Sequence, residues 1–456
     1  MILKHRLIKI IGITILLIGN NLIFAQIPVI TTPKPATFQN YSNFVNPQST
    51  NPNFLPNYNQ TNIDNRTQIN NQMIMQEVQY YEQLRLQQQQ IINDAVNTNN
   101  TISYELPSFA GETGTENFYN AFNEINSMLN GSQPLDLKRA VFLTENAFLD
   151  NRLNYNDFDG RIKSDVSLAK IFMKQSKYSK NENLAKNLAI FQFMVDTTSY
   201  YNYSAEGTAY HLPYSYDFND FFGRDDWTKM FVTKLLYSKS GQCHSLPLLY
   251  LIYTQEIGAE AYLTYSPSHT YIRIKDDNNW FNLELTNGMI TTDAAIMASG
   301  FIKTEAIKNQ IYMDTISTKQ TVATCLIDLA QGYYRKFGYD NFMLQCADTV
   351  LKYSPNSINA YMLKADYYTL LNHHVGRQLP KVNSLEEVEI MLVDYPKAKE
   401  IRDTRNELYE TIDNLGYAEM PQDEYQKWLK SVSEQAYKQE HQTKILFIQN
   451  LSLIHI

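Results

Sequence analysis

Ser240-Gly241-Gln242-Cys243-His244-Ser245 runs straight into the apolar segment Leu246 to Ile257, which Gly258 closes. A helix that is apolar on nearly all sides has to be buried against a sheet, and a glycine just past its end supplies the left-handed cap that stops it. Gly241 interrupts the chain ahead of it, so Cys243 is expected on the first turn. Unpaired backbone N–H groups and the helix dipole favour a thiolate there, and the thiolate is the nucleophilic form of cysteine.

Downstream, Ala261 to Tyr265, Thr270 to Lys275 and Trp280 to Leu285 have strand composition, and Asp276-Asp277-Asn278-Asn279 supplies a hairpin turn between the last two. His269 and Glu284 stand fifteen residues apart across that hairpin, so antiparallel pairing brings their side chains together. Tyr271 and Arg273 share the His269 face, and Asn282 shares a face with Glu284. Thiol, base and orienting carboxylate in this order form a candidate triad: His269 takes the Cys243 proton and Glu284 holds the imidazole in its working tautomer. Asn282 is the runner-up for the orienting role. Gln242 either donates to a developing oxyanion beside the Cys243 N–H or faces solvent. His244 adjoins Cys243, but neighbouring helical residues point about 100° apart, which makes it a poor base for that thiol. No second ligand pair accompanies Cys243 and His244, so no metal is expected, and no motif calls for a cofactor.

The segment from Trp227 to Gly288 resembles the core of the transglutaminase-like superfamily of papain-like cysteine proteins, in which a helix-borne Cys is followed by His and Asp on neighbouring strands. The third member usually lies in a Trp-x-x-x-Asp-Pro-Thr run, matched here by Trp280-Phe281-Asn282-Leu283-Glu284-Leu285-Thr286. Glu284 stands in the Asp place, one methylene longer, and Leu285 replaces the usual Pro; both departures bear on turnover rather than on fold. The resemblance implies an α+β fold with the Cys-bearing helix buried against antiparallel strands, and chemistry through a Cys thioester. Members of the superfamily include cross-linkers, proteases, amidases and proteins that have lost turnover and act as scaffolds.

The 456 residues are too many for one ordinary core. With 39 basic and 47 acidic residues the net charge is −8, which argues against nucleic acid and anionic membranes as partners. Lys4, His5, Arg6 and Lys9 precede the apolar Ile10 to Ile18, and Phe24-Ala25-Gln26 offers a cleavage site, so residues 1–25 read as a signal peptide directing export to the periplasm or beyond. The apolar run is short for a stable membrane span. An uncleaved anchor is the alternative, and no cysteine follows to accept lipid. Residues 26–103, rich in Asn, Gln and Pro, read as a disordered tether with a possible helix between Met73 and Val96. Three cysteines, Cys243, Cys325 and Cys346, make no disulfide framework.

Around the core at residues 200–300, helical periodicity predicts a subdomain over 104–199, with helices at Glu116 to Asn130, Pro134 to Asp150, Asp165 to Gln175 and Asn181 to Val195. The Tyr-rich stretch Tyr200 to Tyr216 reads as an irregular surface loop. Residues 301–437 read as helical; a 34-residue offset that superposes Thr324 on Ile358 resembles a tetratricopeptide repeat. A last helix is expected from Asp423, and 438–456 form an apolar tail. The whole points to an exported cysteine hydrolase or acyltransferase acting on peptide or protein amides. The alternative is an inactive helical-repeat scaffold for protein partners.

Overall fold

The structure is a computed structural model that describes residues 102–175, 182–202, 206–276, 279–298, 300–382, 384–421, 423–431 and 433–434. The expected leader, nearly all of the tether and the apolar tail lie outside these residues. Helices and small antiparallel sheets together make an α+β architecture.

Four helices come first: α1 (Thr115–Leu129), α2 (Leu137–Phe148), α3 (Tyr155–Gln175) and α4 (Glu182–Val195). Asp136 caps α2 by accepting the Arg139 N–H at 2.9 Å. Helix α3 starts at Tyr155, well before the expected Asp165. Its polar opening hides the start from apolar periodicity, but Asn154 receives the Asn156 N–H at 2.8 Å and nucleates the turn. The Tyr-rich stretch is not an irregular loop. It forms a hairpin of β1 (Thr198–Asn202) and β2 (Gly207–His211), followed by β3 (Ser215–Tyr216), which pairs in parallel with β4 (Ser240–Gly241). Tyrosine is a good strand residue, and the alternating burial of β1 is that of a half-covered ribbon.

Between β3 and β4 lie a short 3₁₀ turn, Trp227–Met230, and α5 (Val232–Ser238). The central helix α6 (Ser245–Ile257) follows, buried at every residue from Ser245 to Thr254, and ends at Gly258 with φ of 72°. It lies against a four-stranded meander in the order β5 (Tyr262–Ser266), β6 (His269–Asp276), β7 (Asn279–Glu284) and β8 (Met289–Thr291), all antiparallel.

The C-terminal half is helical: α7 (Asp293–Met297), α8 (Thr304–Lys308), α9 (Thr318–Lys336), α10 (Asn341–Tyr353), α11 (Ile358–Gly376), α12 (Leu385–Asp394) and α13 (Pro396–Leu415), then a helical run over 423–431. A capping box of Ser317 and Gln320 opens α9. Gly332 lets this helix approach α1 and α2 closely, because a Cβ there would come within 3.3 Å of both Phe118 and Phe148. Helices from both ends of the described residues thus share one contiguous apolar core with α6 and the sheet. Thr324 lies inside α9 whereas Ile358 opens α11, so the 34-residue offset does not align equivalent stations of two helical units. Near the first described residue, Ser103 and the Gln378 amide exchange two hydrogen bonds, of 2.8 and 3.1 Å.

Candidate active site

Cys243 occupies the turn two residues ahead of α6 rather than the helix's first turn, and the Leu246 N–H donating to the Gln242 carbonyl at 3.0 Å starts the helical pattern. The tight approach depends on Gly241. A Cβ at that position would stand 2.5 Å from Ser245 Oγ and 2.9 Å from Leu235 Cδ1, so any side chain there would force both to shift. The Thr270 hydroxyl donates to the Cys243 carbonyl and ties that stretch of backbone to β6.

His269 is the first residue of β6. The turn before it passes through Ser268 in the left-handed region, at φ of 56°, which returns the chain so that His269 pairs with Ser266. Across the sheet Arg273 faces Asn282 and Ile272 faces Leu283. Continuing that register sets Tyr271 opposite Glu284 on the face of Arg273 and Asn282, with His269 diagonal to Glu284 and within reach of a long side chain. His269 Nε2 meets Glu284 Oε2 at 2.7 Å, and both residues are buried. Glu284 Oε1 accepts the Thr286 N–H at 3.1 Å. The extra methylene of Glu, compared with Asp, does not keep the carboxylate from the imidazole.

With Nε2 engaged by Glu284, His269 Nδ1 is buried without a protein hydrogen-bond partner. It is the ring nitrogen left for the Cys243 thiol. Thiol and ring are close enough to shift each other's proton affinity. Burial opposes ionisation of Cys243, but His269, and after it His244, outweigh burial and hold the thiol below its ordinary value. Burial likewise opposes charge on His269, yet Glu284 and the thiol together push it up to about 10. Burial would raise Glu284, and the facing imidazole lowers it instead. The arrangement therefore favours a thiolate beside an imidazolium, with the carboxylate behind the ring.

The other sequence candidates do different work. Gln242 is fully buried, and its Nε2 donates to the carbonyls of Asp217 at 3.0 Å and Asp220 at 2.8 Å. Its donors are committed to the 217–220 loop, so neither the oxyanion role nor the solvent-facing alternative holds. Asn282 donates to Asp293 at 2.7 Å within a cluster that includes Arg273; it does not orient His269, and that role falls to Glu284. Cys325 and Cys346 are free, buried in helices, and pushed up by burial. Among the described residues no group of His, Cys, Asp and Glu is placed to hold a metal ion.

Sequence reasoning missed an aromatic cover. Trp428, on the helical run 423–431, stands 4.8 Å from the His269 ring at an interplanar angle of 61°. Tyr425, 1% exposed, stacks on Phe222 at 4.9 Å. Burial raises Tyr425 first, and the neighbouring Cys243 charge raises it further. The signal available was Tyr425, Trp428 and Leu429 at i, i+3, i+4 spacing, which marks an apolar face without saying what it faces.

Comparison of the chain with protein-family models, curated proteins and solved structures returned no match.

Proposed function

We propose that this chain is a transglutaminase-like cysteine hydrolase or acyltransferase, exported through its leader, that acts on peptide or protein amides. The supporting observation is His269 held by Glu284 at 2.7 Å through one nitrogen, with the other nitrogen buried and free of Glu284 and the Cys243 thiol near enough to interact with the ring. The thiolate adds to the amide carbonyl, His269 gives its proton to the departing amine, and the acyl group remains on Cys243 as a thioester. Water or a second amine then takes the acyl group and restores the thiol. The backbone N–H groups at the start of α6 are the donors nearest in the chain to a developing oxyanion.

The experiment is to incubate the protein with peptide-amide and peptidyl-electrophile probes and map adducts by mass spectrometry. An acyl or alkyl adduct on Cys243, formed more slowly in Glu284→Gln with the fold intact by circular dichroism, is the expected result. No adduct across a broad amide set would end the catalytic reading. The aromatic cover of Tyr425 and Trp428 favours the second reading, a noncatalytic scaffold that keeps the triad for packing. In that case Cys243→Ala would still retain a protein partner.

A further inference from the structure

Cys243 has a second imidazole beside it, that of the next residue in the chain. His244 Nε2 lies 3.2 Å from Asp328 Oδ2, and Asp328 is carried by α9, far along the chain from the nucleophile. The pair borders a cavity of about 10 Å³, room for roughly one water, lined also by Glu145, Thr144, Trp227, Phe231 and Cys325. The charged and titratable groups around His244 are therefore Asp328 and Cys325 from α9, Glu145 from α2, and Cys243 itself. Glu145 is already satisfied: its carboxylate accepts the N–H groups of Val232 and Thr233 at 2.6 and 2.8 Å. Cys325 is protonated by burial. Asp328 is left as the direct counter-ion of His244.

We propose that His244 and Asp328 are positioning residues for the nucleophile: Asp328 holds a cation at His244, and that cation stabilises the Cys243 thiolate alongside the catalytic imidazole. This deepens the catalytic reading of Cys243 and rests on it. His244 is not the base. It is adjacent to Cys243 in the chain and engaged by a carboxylate, so its charge is fixed near the thiol without being in line to take the thiol's proton. Burial disfavours charge on His244, but Asp328 outweighs it and pushes the imidazole up to about 9. About a third of the side chain, 34%, remains exposed, so solvent screens the effect and a modest contribution is expected. The arrangement also couples the C-terminal helices to the site, because the counter-ion comes from α9.

The test is a thiolate absorbance titration of the full chain, corrected by subtracting the Cys243→Ala protein. His244→Gln and Asp328→Asn should each raise the Cys243 pKa by about 0.5 to 1 unit, a three- to tenfold loss of thiolate on the acid side. Asp328→Glu should restore most of it. A merely structural pair would change the melting temperature and leave the thiol pKa alone, and that result overturns the proposal. Should the variants not fold, nuclear magnetic resonance of the unsubstituted protein decides. His244 must stay protonated through neutral pH, and titration in the ordinary histidine range overturns the proposal equally. A shift in thiol pKa without any acyl adduct would sink the catalytic reading and leave this pair standing; an adduct with no shift would do the reverse.

Discussion

At the scale of single residues, the chemistry depends on which proton sits where. Cys243 is held low and His269 is held high, near 10, so thiolate and imidazolium coexist between the two titrations. The steps belong to the pair rather than to either group. Acyl transfer should rise with pH as the thiol ionises, run flat, and fall near pH 10 as His269 loses the proton needed by the leaving amine. Replacing His269 by Ala should move the acid limb toward an ordinary thiol and slow neutral iodoacetamide labelling of Cys243 by about tenfold or more. An unmoved acid limb in that variant would exclude His269 as the partner. Cys243, His269 and Glu284 were legible because a glycine, an apolar helix and a hairpin spacing are local patterns. Gln242 was misread because its acceptors, the carbonyls of Asp217 and Asp220, lie in a loop with no periodicity. The His244 and Asp328 pair was invisible because nothing in the sequence says that α9 reaches the start of α6.

At the scale of elements, one buried carboxylate fastens α2 to α5. Glu145 accepts both of the first two N–H groups of α5, Val232 and Thr233, in place of a capping side chain on Phe231. Glu145→Ala would strand these donors, and the loss of stability should be about 2–4 kcal/mol, read as a lower urea midpoint with an unchanged slope. The pH dependence has a definite sign. Burial raises Glu145 from 4.5 to about 7, so the folded state holds this proton more tightly than the unfolded chain does. Its contribution to stability therefore falls as pH rises between those values, and Glu145→Gln should abolish that fall. A midpoint that stays put in Glu145→Ala would mean that other groups hold the α2–α5 junction. Of the elements, α6 and the meander β5–β7 were read almost to the residue, since an apolar run closed by glycine and strand-forming residues set off by a polar turn leave little choice. The hairpin β1–β2 was not, because tyrosines serve a surface loop and a ribbon equally well. The repeat offset failed for a related reason: matching apolar residues at one spacing does not fix where a helix begins, whereas the caps Ser317 and Ser357 do.

At the scale of the whole molecule, helices from the start and the end of the described chain meet in one core, and the helical run 423–431 packs over Cys243 and His269. Tyr425 and Trp428 take up space beside Cys243 and His269, while Cys243 itself keeps part of its surface. Access is then a matter of bulk before it is a matter of reactivity. A small electrophile can reach the sulfur through the remaining opening, but an extended peptide has to displace an indole first. Trp428→Ala should leave iodoacetamide labelling within about twofold and accelerate a peptidyl electrophile by about tenfold, as when a lid limits turnover. Equal changes for both reagents would show that the indole is no barrier. On the proposed catalytic reading, the closed arrangement makes the chain a sieve whose discrimination among acyl donors begins with their girth.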